Sequence, residues 1–222
     1  MEIVTAADTG YFRYLLRLVT TSHGWLNVRP VVYDLGLTGI ELLALSMMGI
    51  QTRGGPRKIP RGRGYPPGYT PRALHKPLIL LDYCRQSTSD IIYMDADAWI
   101  VSPFEFPIRG IGVTRVRDKV VEAYLGSPLA DYRGPHHSGV LFLGHNSQRL
   151  PFLGAWAADT LSDSSPSDKK SMNKVLTNYD FTVLDEDEWN ASTMFPMTKI
   201  FHAHGGQSDE QRVLCGRAGE SS

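Results

Sequence analysis

The segment Asp90-Ile91-Ile92-Tyr93-Met94-Asp95-Ala96-Asp97-Ala98-Trp99-Ile100-Val101 decides how this chain is read. Four apolar residues between Asp90 and Asp95 carry the signature of a strand buried on both faces. Asp95 and Asp97 follow at its C-terminal end, the edge of an open α/β sheet where ligands bind. If the chain turns there, both carboxylates reach one hard divalent cation, directly or through water. Such a cation takes one or two protein carboxylates together with ligand phosphates. A turn whose carboxylates are solvated or cap a helix is the plainer reading. The apolar strand before the pair and Trp99-Ile100-Val101 after it favour the metal.

Working outward, Glu2-Ile3-Val4-Thr5-Ala6-Ala7 is a β-type run ending at Asp8, and Tyr11, Tyr14, Leu15, Leu18 and Val19 recur at helical spacing. Val28 to Tyr33 reads as a second strand, and Leu37 to Met48 as a second helix stopped by Gly49. Arg53 to Pro71 holds five glycines and five prolines, so regular structure is not expected and the stretch reads as a functional or mobile loop. Arg72 to Cys84 resumes a helical pattern that Pro77 starts or kinks. Ile111 to Arg115 and Gly139 to Leu143 are strand candidates, Phe152 to Leu161 and Met172 to Leu176 are helical, and Phe181 to Leu184 and Lys199 to Phe201 are short late strands. Strand and helix alternate through the first half. The expectation is a single α/β domain with a largely parallel central sheet and helices on both faces. It covers residues 1–206, with 207–222 a polar tail, either a disordered end or the start of a linker to a further domain.

Composition narrows the function. The chain has 222 residues, 42% of them hydrophobic and 21% charged, enough for a sizeable core. Lys+Arg and Asp+Glu both number 23, and a net charge of zero argues against a nucleic-acid binder. No apolar run approaches the roughly 18 residues of a membrane span, and Met1-Glu2-Ile3-Val4 does not open a signal peptide. Two cysteines, Cys84 and Cys215, are too few for a disulfide framework or a thiolate zinc site. A soluble cytoplasmic protein is the default. The neutrality hides an asymmetry, because Leu42 to Leu81 contains no acid but carries Arg53, Arg57, Lys58, Arg61, Arg63, Arg72 and Lys76. From Pro151 to Lys199 the acids outnumber the bases eight to four. A positive zone in a neutral chain suits a small anionic ligand better than a long polyanion.

The carboxylate segment resembles the Asp-x-Asp element of GT-A fold glycosyltransferases, which use nucleotide-sugar donors, and most of all the retaining enzymes of family 8. Ile3-Val4-Thr5-Ala6-Ala7-Asp8-Thr9-Gly10-Tyr11 is similar to that family's first strand and nucleotide-binding turn. The resemblance implies that Ala6, Asp8 and Ala96 line the nucleotide, with Asp8 on its base or ribose, and that Tyr11 stacks on uracil. A helix-facing core aromatic is the other reading of Tyr11. His136-His137-Ser138-Gly139-Val140 resembles the Asn-Ser-Gly-Val strand near the donor sugar, with His137 where asparagine is usual. Ser167-Asp168-Lys169-Lys170-Ser171-Met172-Asn173 looks like the family's Asp-Gln-x-x-x-Asn element, with Lys169 in place of the glutamine. Phe201-His202-Ala203-His204-Gly205-Gly206 resembles the His-x-x-Gly motif whose histidine is the third protein ligand to manganese. His202 has glycine three residues on, and His204 is its rival. These matches run in order from residue 3 to residue 206.

An imidazole beside two carboxylates makes a mixed N/O donor set suited to Mn²⁺ or Mg²⁺. Asp95, Asp97 and His202 are therefore the expected ligands, and the resemblance implies a UDP-sugar as donor substrate. Arg72 and Lys76 are four apart and share a helix face. They are candidates for the diphosphate, and a solvated basic face is the alternative. Arg53 to Arg63 reads either as a lid over donor or acceptor or as a solvent loop. On the acceptor side, which implies a glycan or other hydroxyl, the candidate carboxylates are Asp159, Asp168, Asp185, Asp187 and Glu188. Asp168 and His137 are the candidate catalytic pair, although Asp168 is also placed to cap a helix from Lys169. Trp99, Trp156 and Trp189 offer a stacking surface or belong to the core. A sugar-1-phosphate nucleotidyltransferase would show a Gly-rich loop after its first strand, which Ala6-Ala7-Asp8-Thr9-Gly10 does not have. A non-catalytic metal-dependent binding module is the remaining rival.

Overall fold

The computed structural model describes residues 1–56, 74–116, 134–162 and 167–203. Strand β1 (Glu2–Ala7) leads through a 3-10 turn (Thr9–Tyr11) into α1 (Phe12–Leu26), which ends on Asn27 in the left-handed region at φ 52°. The helix runs seven residues beyond the Val19 expected from periodicity. Thr20, Thr21 and Ser22 interrupt the apolar pattern, but their hydroxyls donate to the carbonyls of Leu16, Arg17 and Leu18, which absorbs them into the helix. Strand β2 (Val31–Asp34) precedes α2 (Gly39–Met47), whose start is closed by a reciprocal cap between Thr38 and Glu41. A three-residue strand, β3 (Thr52–Gly54), lies where only loop was expected. It has no apolar pattern and exists because it pairs in parallel with β2.

Helix α3 (His75–Gln86) carries Pro77 in its first turn, where a missing N–H is tolerated, so the proline neither breaks nor kinks it. Strand β4 (Ile91–Met94) is buried throughout, as its sequence predicts. Then follow β5 (Ala98–Ile100), β6 (Ile111–Arg115), β7 (His136–Leu143), α4 (Arg149–Leu161), α5 (Asp168–Leu176), β8 (Phe181–Leu184), a short α6 (Glu186–Trp189) and β9 (Ile200–His202).

The main sheet has the order β3-β2-β1-β4-β7-β6-β8, and β5 pairs with β9 in a separate antiparallel ribbon. Six of the seven strands point one way. Only β7 is reversed, antiparallel to β4 on one side and β6 on the other. The period-2 alternation of the central strands divides two apolar layers. Val4, Ile91, Tyr93, Leu141 and Leu143 pack with α3, α4 and α5, whereas Ile3, Ile92, Met94, Val140 and Phe142 pack with α1 and the β5–β9 ribbon. Helices α1 and α2 add a third cluster around Leu15, Val19 and Leu45 on that second face. The expected α/β architecture, mostly parallel with helices on both faces, is the one observed. Among the described residues no helix is long and apolar enough to cross a membrane.

Candidate functional site

Topology brings four strand ends to one edge. β1 and β4 deliver their C-terminal ends there and, because β7 is reversed, its first residues arrive at the same edge. The β5–β9 ribbon adds a fourth end, with Ala98 opposite His202.

The chain turns directly after β4, where the Asp95 carbonyl accepts from Ala98 N and Asp95 N donates to the Gly139 carbonyl. Asp97 is anchored by its own carbonyl, which accepts from Ala203 N, and so is tied to the residue after His202. The result is a cluster of Asp95, Asp97 and His202 whose ligand atoms all lie within 4.8 Å of one another. His202 Nε2 is 3.2 Å from Asp97 Oδ1 and 3.9 Å from Asp95 Oδ2. Gly139 makes this approach possible, since a Cβ there would lie 2.2 Å from His202 Cε1 and 2.9 Å from Asp95 Oδ2. Two carboxylates and an imidazole in that span fit a divalent Mn²⁺ or Mg²⁺. His204, the rival ligand, lies outside the described residues.

A second cluster sits behind the first. Lys76 reaches from the first turn of α3 and is 4% exposed, so it is not part of a solvated basic face. Its ammonium lies 3.0 Å from Asp95 Oδ1 and 3.1 Å from Asp168 Oδ2, and it donates to the Ser138 carbonyl at 2.9 Å. Burial works against its charge, but Asp168 and Asp95 outweigh burial and hold its pKa above the usual lysine value. Asp95 is raised by burial, against the opposing pull of Lys76 and His202. Asp168 is not the cap of its helix. That role falls to Ser167, whose Oγ accepts from Lys170 N, leaving the Asp168 carboxylate to Lys76 and to the Ser138 hydroxyl at 2.9 Å. Five residues on, Asn173 clamps the start of β7, accepting from His136 N and donating to its carbonyl, both at 3.0 Å. This pairing explains why β7 begins at His136 rather than at Gly139.

On the β1 side, Asp8 is 5% exposed and caps the 3-10 turn through Tyr11 N. Ala6 pairs in register with Tyr33, and Ala96 is buried in the turn against the α1–α2 cluster. Tyr11 is 40% exposed, so it is not a core aromatic. Its phenol is raised by partial burial and by the Asp97 and Asp95 charges, which places it within electrostatic reach of the carboxylate pair. On the far side, His137 Nε2 is 3.1 Å from Glu186 Oε1. Burial lowers its pKa despite that carboxylate.

The remaining expectations divide. Trp99, Trp156 and Trp189 are buried core residues and offer no stacking surface. Arg53 is no lid residue; it lies on β3, its guanidinium stacked 4.7 Å from the Tyr83 ring centroid. Asp159 pairs with Lys174, and Asp185 caps α6 through Asp187 N, so of the acceptor-side candidates Asp168 is the one seated in the Lys76 cluster. Arg72 and the basic positions Arg57, Lys58, Arg61 and Arg63 lie outside the described residues, as does the tail 207–222. Three residues were not singled out from the sequence. Ser138 enters only within the segment from His136 to Val140, Glu186 only as one charge in an acidic stretch, and Asn190 in no site motif. In the fold Asn190 is fully buried, with Oδ1 2.8 Å from His202 Nδ1.

No protein-family model and no curated protein matches the chain. Among solved structures it is similar to an active-site mutant of LgtC, with TM-score 0.61 and 15% identity over 99% of this chain and 95% of that one. It is likewise similar to the galactosyltransferase LgtC in complex with donor and acceptor sugar analogues, with TM-score 0.58 and 14% identity over 98% and 96% of the two chains. A third likeness, at TM-score 0.54 and 13% identity over 96% and 98%, is to a glycosyltransferase involved in glycosylation of the major capsid of PBCV-1. The fold is therefore the GT-A type of these glycosyltransferases.

Proposed function

We propose that this chain is a metal-dependent glycosyltransferase that moves a sugar from a nucleoside-diphosphate sugar, a UDP-sugar, to an acceptor hydroxyl on a glycan or other molecule. The observation that carries the reading is the Asp95–Asp97–His202 cluster at the ligand-binding edge of a glycosyltransferase fold. In this reading residues 1–206 are the transferase domain. Ala6, Asp8 and Ala96 line the nucleotide, Tyr11 stacks on the uracil, and Asp95, Asp97 and His202 hold Mn²⁺ or Mg²⁺. A divalent cation held there supplies Lewis-acid stabilisation of the charge on the departing nucleoside diphosphate.

The protein's own residues do the rest. Lys76 offsets the charge of Asp95 and Asp168 and fixes both carboxylates, which lowers the repulsion a diphosphate would meet there. Arg72 adds positive potential for that diphosphate. Asp168 and His137 lie on the opposite flank of the carboxylate turn from Tyr11 and act on the transferred sugar and the incoming hydroxyl. Burial lowers the His137 pKa and so favours the neutral imidazole, the form that accepts a proton or a hydrogen bond.

The test is incubation with Mn²⁺ and a panel of nucleotide sugars, followed by assay for free nucleotide. Slow release of UDP that chelation abolishes is the expected result. Pyrophosphate-dependent formation of a nucleoside triphosphate would show a nucleotidyltransferase instead, and metal binding without any release would show a binding module.

A further inference from the structure

His202 offers its two ring nitrogens to different partners. Nε2 faces the carboxylates of Asp97 and Asp95, whereas Nδ1 lies 2.8 Å from Asn190 Oδ1. A carboxamide oxygen only accepts, so this bond needs a proton on Nδ1. It leaves Nε2, the nitrogen aimed at Asp97 and Asp95, as the one that gives up its proton to bind a cation.

The position of Asn190 is set from two sides. It is the C-cap of α6, and its N–H donates to the carbonyl of Glu186, the first residue of that helix. The next residue, Ala191, exchanges hydrogen bonds with β9 by donating to the Ile200 carbonyl and accepting from His202 N. The backbone that carries the amide is thus laced to the backbone that carries the imidazole. Asn190 is 0% exposed, and among the described residues its Nδ2 has no hydrogen-bond partner. A buried donor left unsatisfied destabilises a fold. An apolar side chain would avoid that burden, so packing alone does not account for asparagine here. What it supplies is the acceptor for Nδ1–H.

We infer that Asn190 is the positioning residue of the metal site, setting the tautomer and orientation of His202 and thereby the affinity for the cation. The inference rests on the metal-dependent reading above and extends it to a residue that touches neither metal nor substrate. Partners of this kind fix ring orientation and raise ligand basicity, and losing one weakens metal binding by about 10–100-fold.

The test uses the full chain and Mn²⁺ alone as probe. Free Mn²⁺ is followed by electron paramagnetic resonance during titration of the parent, Asn190→Leu and Asn190→Asp. Long-range ¹H–¹⁵N spectra of the metal-free proteins read which nitrogen of His202 is protonated. In the parent Nδ1 is expected to stay protonated whether or not Nε2 carries a proton toward Asp97. Asn190→Leu should lose that preference and raise the Mn²⁺ dissociation constant by about 10–100-fold. Asn190→Asp restores an acceptor and should recover both, a rescue that a purely structural role would not produce. Asn190→Ala removes the acceptor without adding bulk and replaces the leucine variant should that one not fold. Unchanged affinity and tautomer in Asn190→Leu or Asn190→Ala would overturn the inference while leaving the metal site standing. Absence of Mn²⁺ binding by the parent would overturn the metal reading, and the His202 spectra would still decide whether Asn190 sets the tautomer.

Discussion

Asp95 and Asp97 stand two residues apart in one turn and have opposite surroundings. Asp95 is partly open, with a side chain 30% exposed, and is bound from behind by the permanent cation of Lys76. Asp97 is enclosed, its side chain 6% exposed, and the imidazole of His202 is 3.2 Å away. One carboxylate is bound to a lysine that the fold itself supplies, and the other faces an imidazole. The difference teaches that the two aspartates of such a motif are not interchangeable. Asp95 joins the Asp97–His202 pair to the Lys76–Asp168–Ser138 cluster, whereas Asp97 meets His202 directly.

The largest way to break this contrast is Lys76→Met. It leaves Asp95 and Asp168 without their cation, and removing one partner of a buried pair typically costs about 3–5 kcal/mol. Urea unfolding of the metal-free protein should show a loss near the lower figure, because Asp95 retains access to water. Asp97→Ala should do the reverse, leaving the urea midpoint almost unchanged while weakening Mn²⁺ by about 100-fold or more, since a ligand matters at least as much as its supporting partner. Calorimetric titration of UDP with and without Mn²⁺ checks it, and parent-like metal-dependent affinity would show that Asp97 is not a ligand.

The contrast can also be sharpened from each flank. Tyr11→Ala should weaken UDP by about 1–3 kcal/mol, the scale of base–aromatic stacking, with no effect on Mn²⁺ alone. A purine nucleotide binding more tightly than UDP to the parent would remove the uridine assignment. The smallest effect concerns acid. His136 and His137 have pKa values lowered by burial below the ordinary 6.5. Below that value the unfolded chain binds more protons than the folded one, so the stability these residues contribute is present above it and is lost as the pH falls toward their folded values. The urea midpoint should therefore decline as the pH falls below about 6.5. His137→Asn should flatten the slope, and an unchanged slope would assign the decline to other groups.

What the sequence made legible follows from where the information lay. The β4 run and the carboxylates after it are local, and so are the β1 turn and the amphipathic half of α1; each could be read from adjacent residues. β3 and β5 are three residues long and owe their existence to strands distant in sequence, so no local pattern announces them. Lys76 was legible as a cation near the site but not as a buried one, because its three partners come from the turn after β4, from β7 and from α5. Glu186 and Asn190 act through His137 and His202, and a residue that works by holding another carries no motif of its own.

The β5–β9 ribbon has a consequence for the order of folding. It joins Asp97 to His202 across 105 residues of chain. Closing so long a loop is entropically unfavourable until the intervening strands have assembled, so this ribbon forms late. A cation held by Asp95, Asp97 and His202 would then seal a finished sheet rather than nucleate it. An ion bound only after the transition state slows unfolding without hastening refolding. The stabilisation it brings is therefore to be sought in the lifetime of the native state, as a steeper delay in unfolding with each increment of Mn²⁺, against a refolding rate that stays level.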